Sequence, residues 1–418
     1  MIKNHLLFND FSDWRFDISK ASGSFIWDGE GNKLIDFTSA WNVTNLGWNH
    51  PEITRAIIEQ AKKNTYNPGW TADPIQNELA KKLTDSLPRE LTIAVRATGG
   101  TEANEEAIKT ARSFAGRKKI LGFRDHYHGH SLAVTAIGYP PEYAAWKRFG
   151  PIPGELIHID YPNMYRTNKK PDELLADFST RLENILKKRD VAAIVTEAGI
   201  ITGWGSTYVA PEGFLKTVRR LTARYGTLLI LDEVGTGFSR CGKLFAMELE
   251  QVTPDIVTFA KGMSNGAAAI GAMVTTAKIG QKTCNKSQIY STFGWTPIAC
   301  AAVLKSLEIH KRDRVWEKAG KDGVYIMSIL KKELEDNPKV GDIRGIGMEI
   351  GIDFVKSKKT KEKNKQLTEK IVDETLKKGL HTISDHDSNI QLMPPLTIER
   401  KTLNQGLEIL IDVIKKLN

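Results

Sequence analysis

Cysteine is scarce in this chain: Cys241, Cys284 and Cys300 are the only three, odd in number and far apart. A disulfide framework and a zinc knuckle both need paired, closely spaced thiols, so neither is expected, and a reducing cytoplasm is the compartment that fits. Long apolar runs are missing as well. No stretch of about 18 apolar residues occurs, which excludes a membrane-spanning helix. The opening segment, Met1 to Asp10, breaks its few apolar residues with polar ones and offers no small-residue cleavage site, so no signal peptide is expected. Internal repeats and low-complexity tracts are absent. Aromatic residues are absent from the densest basic run, Lys356 to Lys365, and the other basic residues are dispersed. The formal charge of +9 is therefore read as a solvated basic surface, able to attract acidic substrates, rather than as a nucleic-acid interface.

What is present is an ordinary globular composition, 418 residues with 41% apolar and 26% charged, enough for a sizeable core and more than one domain. Phe25 to Trp27 and Lys33 to Phe37, joined by Asp28-Gly29-Glu30-Gly31-Asn32, read as a hairpin. From about residue 70 to 300 strand-like and helical runs alternate: Ala193 to Glu197 as a strand, Pro211 to Tyr225 as a helix, Leu228 to Leu231 as the next strand. This is the βαβ pattern of a mostly parallel sheet with helices on both faces. A long helix from Pro297 to His310 leads to a C-terminal α+β part that ends in the amphipathic segment Arg400 to Lys416.

Leu228-Leu229-Ile230-Leu231-Asp232-Glu233-Val234 places an acid where a buried strand ends, at the carboxyl edge where open α/β sheets bind ligands. Ile256 to Phe259 delivers Lys261 to the same kind of edge. Upstream, Thr98-Gly99-Gly100-Thr101 precedes a run with apolar residues at Ala103, Ala107, Ile108 and Ala111, which is helical spacing. A helix opened by glycines offers free backbone N–H groups and a favourable dipole to a phosphate. An acid for a pyridinium nitrogen, a lysine for an aldehyde and a cradle for a phosphate are what pyridoxal phosphate needs.

These three elements, with Trp27-Asp28 to Asp36-Phe37, Tyr127-His128-Gly129, Ser291-Thr292-Phe293-Gly294, Arg344-Gly345-Ile346-Gly347 and Pro394-Pro395-Leu396 in order along most of the chain, resemble the fold-type I pyridoxal-phosphate enzymes, and among them the class III (omega) aminotransferases. The resemblance implies an α/β fold with a mostly parallel central sheet and a smaller α+β domain. It divides the chain into an N-terminal segment of the small domain (1–65), a large cofactor-binding domain (66–305) and the rest of the small domain (306–418). It further implies Lys261 as the Schiff-base lysine, Asp232 on the pyridine nitrogen, Tyr127 over the ring with His128, Glu197 and Val234 around it, and Gly100 with Thr101 on the phosphate. Thr292 would reach the phosphate of a partner subunit, so the active form would be a homodimer. Trp41, Trp70, His130 and Gln391 are the candidates for the substrate pocket. The alternating His126, His128 and His130 could share a strand face and hold a metal, but Gly129 points to a turn and no further ligand cluster accompanies them, so no metal is expected.

In family members that use glutamate or ornithine, arginines stand at the positions of His130 and Gln391, and a glutamate stands where this chain has Thr202. Neutral glutamine or histidine is no substitute for a bidentate carboxylate clamp, and losing arginine and counter-ion together avoids leaving one charge buried alone. Weak use of glutamate and 2-oxoglutarate is expected. Ala198 and Thr296 also depart from the family's common Pro and Asn, without a chemical consequence. The expected activity is amino transfer, by a ping-pong route, from an amine or amino acid with an uncharged or apolar distal group to a small keto acid such as pyruvate or to an aldehyde. A racemase, epimerase or aminomutase on the same scaffold is the alternative, and a lyase comes third.

Overall fold

The computed structural model describes residues 16–139, 146–203 and 207–417. The reading of Met1 to Asp10 lies outside them. The chain opens with β1 (Ile18–Ser22), β2 (Phe25–Asp28) and β3 (Lys33–Asp36). The expected hairpin is β2 with β3, antiparallel from Phe25 opposite Ile35 to Trp27 opposite Lys33. Gly31, at φ +88°, takes the left-handed position that closes its turn. Helices α1 (Pro51–Ala61) and α2 (Pro74–Thr84), each opened by a proline, lead into the central sheet.

That sheet contains β4 (Leu91–Ala97), β5 (Lys119–Phe123), β6 (Leu156–Ile159) and β7 (Val191–Glu197). After a short ladder of β8 (Ile200–Ile201) with β9 (Tyr208–Val209), it continues with β10 (Leu228–Asp232), β11 (Ile256–Phe259) and β12 (Gly271–Thr276). Its order is β4-β12-β11-β10-β7-β5-β6; β12 runs antiparallel to both neighbours, and the pairs from β11 to β6 are parallel. The apolar runs follow from two-sided burial. Leu229 and Leu231 enter one core cluster while Leu228 and Ile230 enter another, so both faces of β10 are covered. The covering helices include α3 (Gly100–Ala115), α4 (Pro171–Leu186) and α5 (Phe214–Tyr225). The helix expected from Pro211 starts at Phe214, because Gly213 stands in the left-handed conformation at φ +83° immediately before it.

Beyond α6 (Pro297–Arg312) and α7 (Val315–Leu334), a second sheet joins β13 (Val340–Ile346), β14 (Glu349–Ser357), β15 (Glu362–Lys363), β17 (Ile383–Ser384) and β18 (Asn389–Leu392), with α8 (Lys365–Lys377) and β16 (Leu380–His381) between, and α9 (Arg400–Lys416) closing the chain. The basic run expected as a solvated surface turns as a hairpin from β14 into β15, and Lys356 pairs with Glu362 across it at 2.6 Å. The two chain ends fold on each other: β16 pairs in parallel with β3, and Ile35, Phe37 and Ile53 share a core with Ile350, Leu407 and Leu410. Among the described residues no helix is long and apolar enough to cross a membrane, and Cys241 and Cys300 are buried while Cys284 is exposed, all three free.

Candidate active site

Three adjacent parallel strands end side by side. Asp232, the last residue of β10, lies in register with Glu197 at the end of β7 and with Thr258 in β11. The apolar strand bodies are pulled into the core, and this leaves the polar ends at one carboxyl edge. Asp232 is almost fully buried. Its Oδ2 accepts from Asn104 Nδ2 at 2.9 Å and His128 Nδ1 at 2.7 Å, and its Oδ1 from the Val234 N–H at 2.9 Å. Because a carboxylate can only accept, His128 carries its proton on Nδ1. Asn104 is oriented in turn: Thr258 Oγ1 donates to its Oδ1 at 2.7 Å, and its Nδ2 also reaches the His128 carbonyl at 2.8 Å.

Glu197 is fully buried beside Asp232. Burial, then the negative charge of Asp232, hold its carboxyl well above the usual range; Thr202 and the field of Lys261 oppose that. Thr202 grips it with its backbone N–H at 3.1 Å from each oxygen and with Oγ1 at 2.6 Å. Gly235 makes this grip possible, since a Cβ there would fall 2.0 Å from Thr202 Oγ1. Beside Asp232 there thus stands a second acid whose neutral form is favoured. Lys261 follows β11 by two residues and sits at φ +48°, a left-handed conformation that costs a non-glycine residue about 1–2 kcal/mol.

At the other end, α3 starts at Gly100 after an extended Gly99. The first-turn N–H groups of a helix lack intrahelical acceptors, and only glycine lets this start come so close: a Cβ on Gly100 would lie 3.0 Å from both Val234 methyls. Gly100, Thr101, Tyr127, His128, Glu197, Asp232, Val234 and Lys261 all line one cavity of about 170 Å³. Tyr127 is set against Gly203, where a Cβ would fall 2.7 Å from its own Cβ, and partial burial raises its phenol above the ordinary value. The groups fit pyridoxal phosphate: a glycine cradle at a helix start, an amine, a tethered carboxylate, and a buried His128 Nε2 with no partner.

The three alternating histidines are divided among three surroundings. His126 is buried, stacked on Phe123 at 5.2 Å, and desolvation pushes its ring far below its ordinary proton affinity. His128 belongs to Asp232. His130 is exposed, its Nδ1 3.2 Å from Thr101 Oγ1. Among the described residues no group of three His, Cys, Asp or Glu could hold a metal. The other expected pocket residues stand apart from the cavity. Trp70 is 83% exposed; Thr292, expected to serve a partner subunit's phosphate, is exposed as well. Trp41 and Gln391 lie behind Thr202: Trp41 Nε1 donates to Gln391 Oε1 at 2.9 Å, and Gln391 Nε2 donates to the Thr202 carbonyl at 3.0 Å and to Glu349. Both hydrogens of the Gln391 amide are thereby used within the protein. Sequence reasoning missed Asn104 and Glu349. The available signal was a polar residue within an apolar pattern, Asn104 beside Ala103 on α3 and Glu349 in the buried run of β14.

The family model "Aminotransferase class-III" matches residues 9–414. An acetylornithine aminotransferase of Methanothermobacter thermautotrophicus is 33% identical over 96% of this chain and 94% of its own length. A leucine/methionine racemase of Thermococcus litoralis is also 33% identical, over 93% and 88%. The crystal structure of an (S)-enantioselective omega-transaminase from Thermomicrobium roseum superposes with a TM-score of 0.92 at 32% identity, covering 99% of this chain and 96% of that one.

Proposed function

The chain belongs to the class-III aminotransferases, which are pyridoxal-phosphate enzymes of fold type I, and on that premise we propose that it moves an amino group from a donor with an uncharged or apolar distal end to a small keto acid or an aldehyde. The observation that carries the reading is the convergence of eight residues, scattered from Gly100 to Lys261, on one cavity with an amine, a tethered acid and a phosphate cradle. When bound, the cofactor supplies an electron sink for negative charge at the donor α-carbon. Lys261 would hold the cofactor through its amine and, as a free amine, would serve as the base that moves a proton at the donor α-carbon. Asp232, fixed by Asn104, His128 and the Val234 N–H, would hold the ring nitrogen of the cofactor and would favour its protonated form. Glu197, favoured in its neutral form, adds no second charge beside Asp232. Gly100 and Thr101 would hold the phosphate, and Tyr127 would hold the ring.

The chain acts, in this reading, as a homodimer in the cytoplasm, with Thr292 reaching its partner's phosphate. An exposed aromatic face supports the dimer. Trp70, Tyr290 and Phe293 are 83%, 59% and 64% exposed, Phe293 lies 5.9 Å from the Tyr66 ring, and Gly69 lies against Tyr290. The division near residues 65 and 305 belongs to the same reading, supported by the β3–β16 pairing. No lysine or arginine donates to Glu197 or Gln391 among the described residues, which supports a donor without a second carboxylate.

The test is the visible spectrum of the holoenzyme with L-alanine, a simple aryl-alkyl amine or L-glutamate, followed by assay for amino transfer to pyruvate. Loss of the lysine-bound cofactor band with alanine or the amine, with the amino group recovered on pyruvate, is expected. Efficient turnover of glutamate with 2-oxoglutarate would refute the donor class. Inversion of a chiral donor without transfer to a separate acceptor would move the assignment to the racemase reading, which the resemblance to the Thermococcus enzyme favours.

A further inference from the structure

One fully buried acid takes no part in the chemistry above. Glu349, the first residue of β14, accepts from Asn42 Nδ2 at 2.7 Å through Oε2, and from Thr207 Oγ1 at 3.1 Å and Gln391 Nε2 through Oε1. Burial raises its proton affinity, and the field of Arg240 and the three donors oppose that. Arg240 makes no bond to it; its hydrogens go to the carbonyls of Met348 and Pro394 and to Asn45 Oδ1. Two amides and a hydroxyl directed at one carboxyl make a shell for an acceptor, which is what an ionised carboxylate is.

This acid is one residue removed from the cavity. Gln391 links it to the carbonyl of Thr202, which lines the cavity and holds Glu197 from the other side. The same Gln391 receives the indole N–H of Trp41. Trp41 sits in a turn in which Ser39, Ala40, Trp41 and Asn42 all have positive φ, 43°, 49°, 60° and 65°. Two side chains of this strained turn, Trp41 and Asn42, are tied to Gln391 and Glu349. The glycine start of α3 and Thr202 both line the cavity, and a donor whose distal end extends on the Thr202 side meets this network. Behind that side stands Glu349, and among the described residues no lysine or arginine is hydrogen-bonded to it.

We propose that Glu349 sets the charge this pocket accepts: through Gln391 and Trp41 it fixes an acidic wall behind Thr202, so donors with a neutral or cationic distal end bind and donors with a second carboxylate are rejected. The proposal rests on the reading above only in that the donor is an amine that engages the cofactor. Glu349 is a positioning and specificity residue, and it does not touch the reacting atoms.

The test is equilibrium titration of the holoenzyme with L-glutamate and L-glutamine, near-isosteres that differ in distal charge, in the wild type, Glu349→Gln, Gln391→Arg and the double variant. Binding is read from the change in the cofactor spectrum and amino transfer to pyruvate is measured separately. A like charge held at low dielectric is worth about tenfold or more, so Glu349→Gln should lower the ratio of the glutamate to the glutamine dissociation constant by at least about that factor. Gln391→Arg alone should leave the ratio nearly unchanged, because the new guanidinium pairs with Glu349 in place of a substrate carboxylate, whereas the double variant should bind glutamate well. Strong glutamate binding by Gln391→Arg alone would overturn the proposal, as would an unchanged ratio in a Glu349→Gln protein that still binds glutamine. The Gln391→Arg arm decides the matter if Glu349→Gln does not fold. If the ratio shifts as expected but no amino group reaches pyruvate, the amino-transfer reading falls and the role of Glu349 stands.

Discussion

Replacing Thr202 with valine keeps the shape of the side chain and deletes one contact, the Oγ1 hydrogen bond to Glu197 at 2.6 Å. The backbone N–H of Thr202 still reaches both oxygens of Glu197 at 3.1 Å, so Glu197 stays in place. A hydrogen bond to a charged group is worth about 1.5–3 kcal/mol; at about 1.4 kcal/mol per pKa unit, the carboxyl should rise by roughly one to two further units. The sign follows from the folded value already lying above the ordinary one. The stability linked to Glu197 is complete below its unfolded value, about 4.3, and is lost as pH rises through the folded value. Raising the folded value prolongs that loss to higher pH. Near pH 5, where Glu197 is neutral in the fold, the cofactor-free variant and wild type should differ by no more than about 1 kcal/mol, the worth of a neutral hydrogen bond. Above the wild-type folded value the gap should widen to about 1.5–3 kcal/mol. Urea unfolding of the cofactor-free proteins at a series of pH values reads this directly. A gap that is constant with pH, or widest in acid, would refute the account of Glu197.

Lys261→Ala should slow amino transfer by about 10²–10⁴-fold while the amino form of the cofactor, which needs no lysine, binds as before; turnover at the wild-type rate would remove Lys261 from the mechanism. Gly406→Ala places a Cβ 2.4 Å from Phe37 Cζ in the core that joins the two chain ends. Overpacking there should cost about 1–3 kcal/mol, seen as a lower thermal midpoint, and an unchanged midpoint would show that Phe37 can move aside. Thr292→Ala should weaken cofactor binding without altering the fold of the subunit, and mixing it with Lys261→Ala subunits should restore wild-type affinity at the site whose lysine is intact. Mixed dimers no better than Thr292→Ala alone would mean that Thr292 does not act across an interface.

The parts of the site that were legible in the sequence are those whose role is local. Asp232 and Lys261 announce themselves because an apolar run must end somewhere, and an ionisable residue at its end is set at a sheet edge. Gly100 is legible because a glycine pair before a helical pattern marks a helix start open to an anion. The same logic located β2, β3, β10 and α9, and it failed at Pro211 only because Gly213 delays the helix by its left-handed backbone. Long-range pairs leave no periodic trace. Asn104 meets Asp232 across 128 positions and Asn42 meets Glu349 across 307, so nothing around either residue in the chain marks the bond. The exposure of Trp70 is also invisible to periodicity, since what covers an aromatic residue depends on elements remote in sequence.

The left-handed turn at Ser39 to Asn42 shows why the strain and the buried acid must be explained together. Four consecutive non-glycine residues at positive φ cost roughly 4–8 kcal/mol at about 1–2 each. Ser39 and Asn42 can offset part of this with their own side chains: Ser39 Oγ donates to the Met393 carbonyl at 2.6 Å and Asn42 donates to Glu349. Ala40 has no such means, and the polar contact of Trp41 is the bond from Nε1 to Gln391, 350 positions away. A strained backbone persists only where its surroundings over-determine it. Here those surroundings are Gln391 and Glu349, which are themselves buried polar groups that an apolar strand would not otherwise keep. Each half of the arrangement violates a local rule when taken alone: a left-handed Trp in one segment, a buried acid at the start of a core strand in the other. Joined, they satisfy each other's hydrogen bonds and stand one residue behind the cavity, and such paired departures from local preference belong to the site rather than to the scaffold.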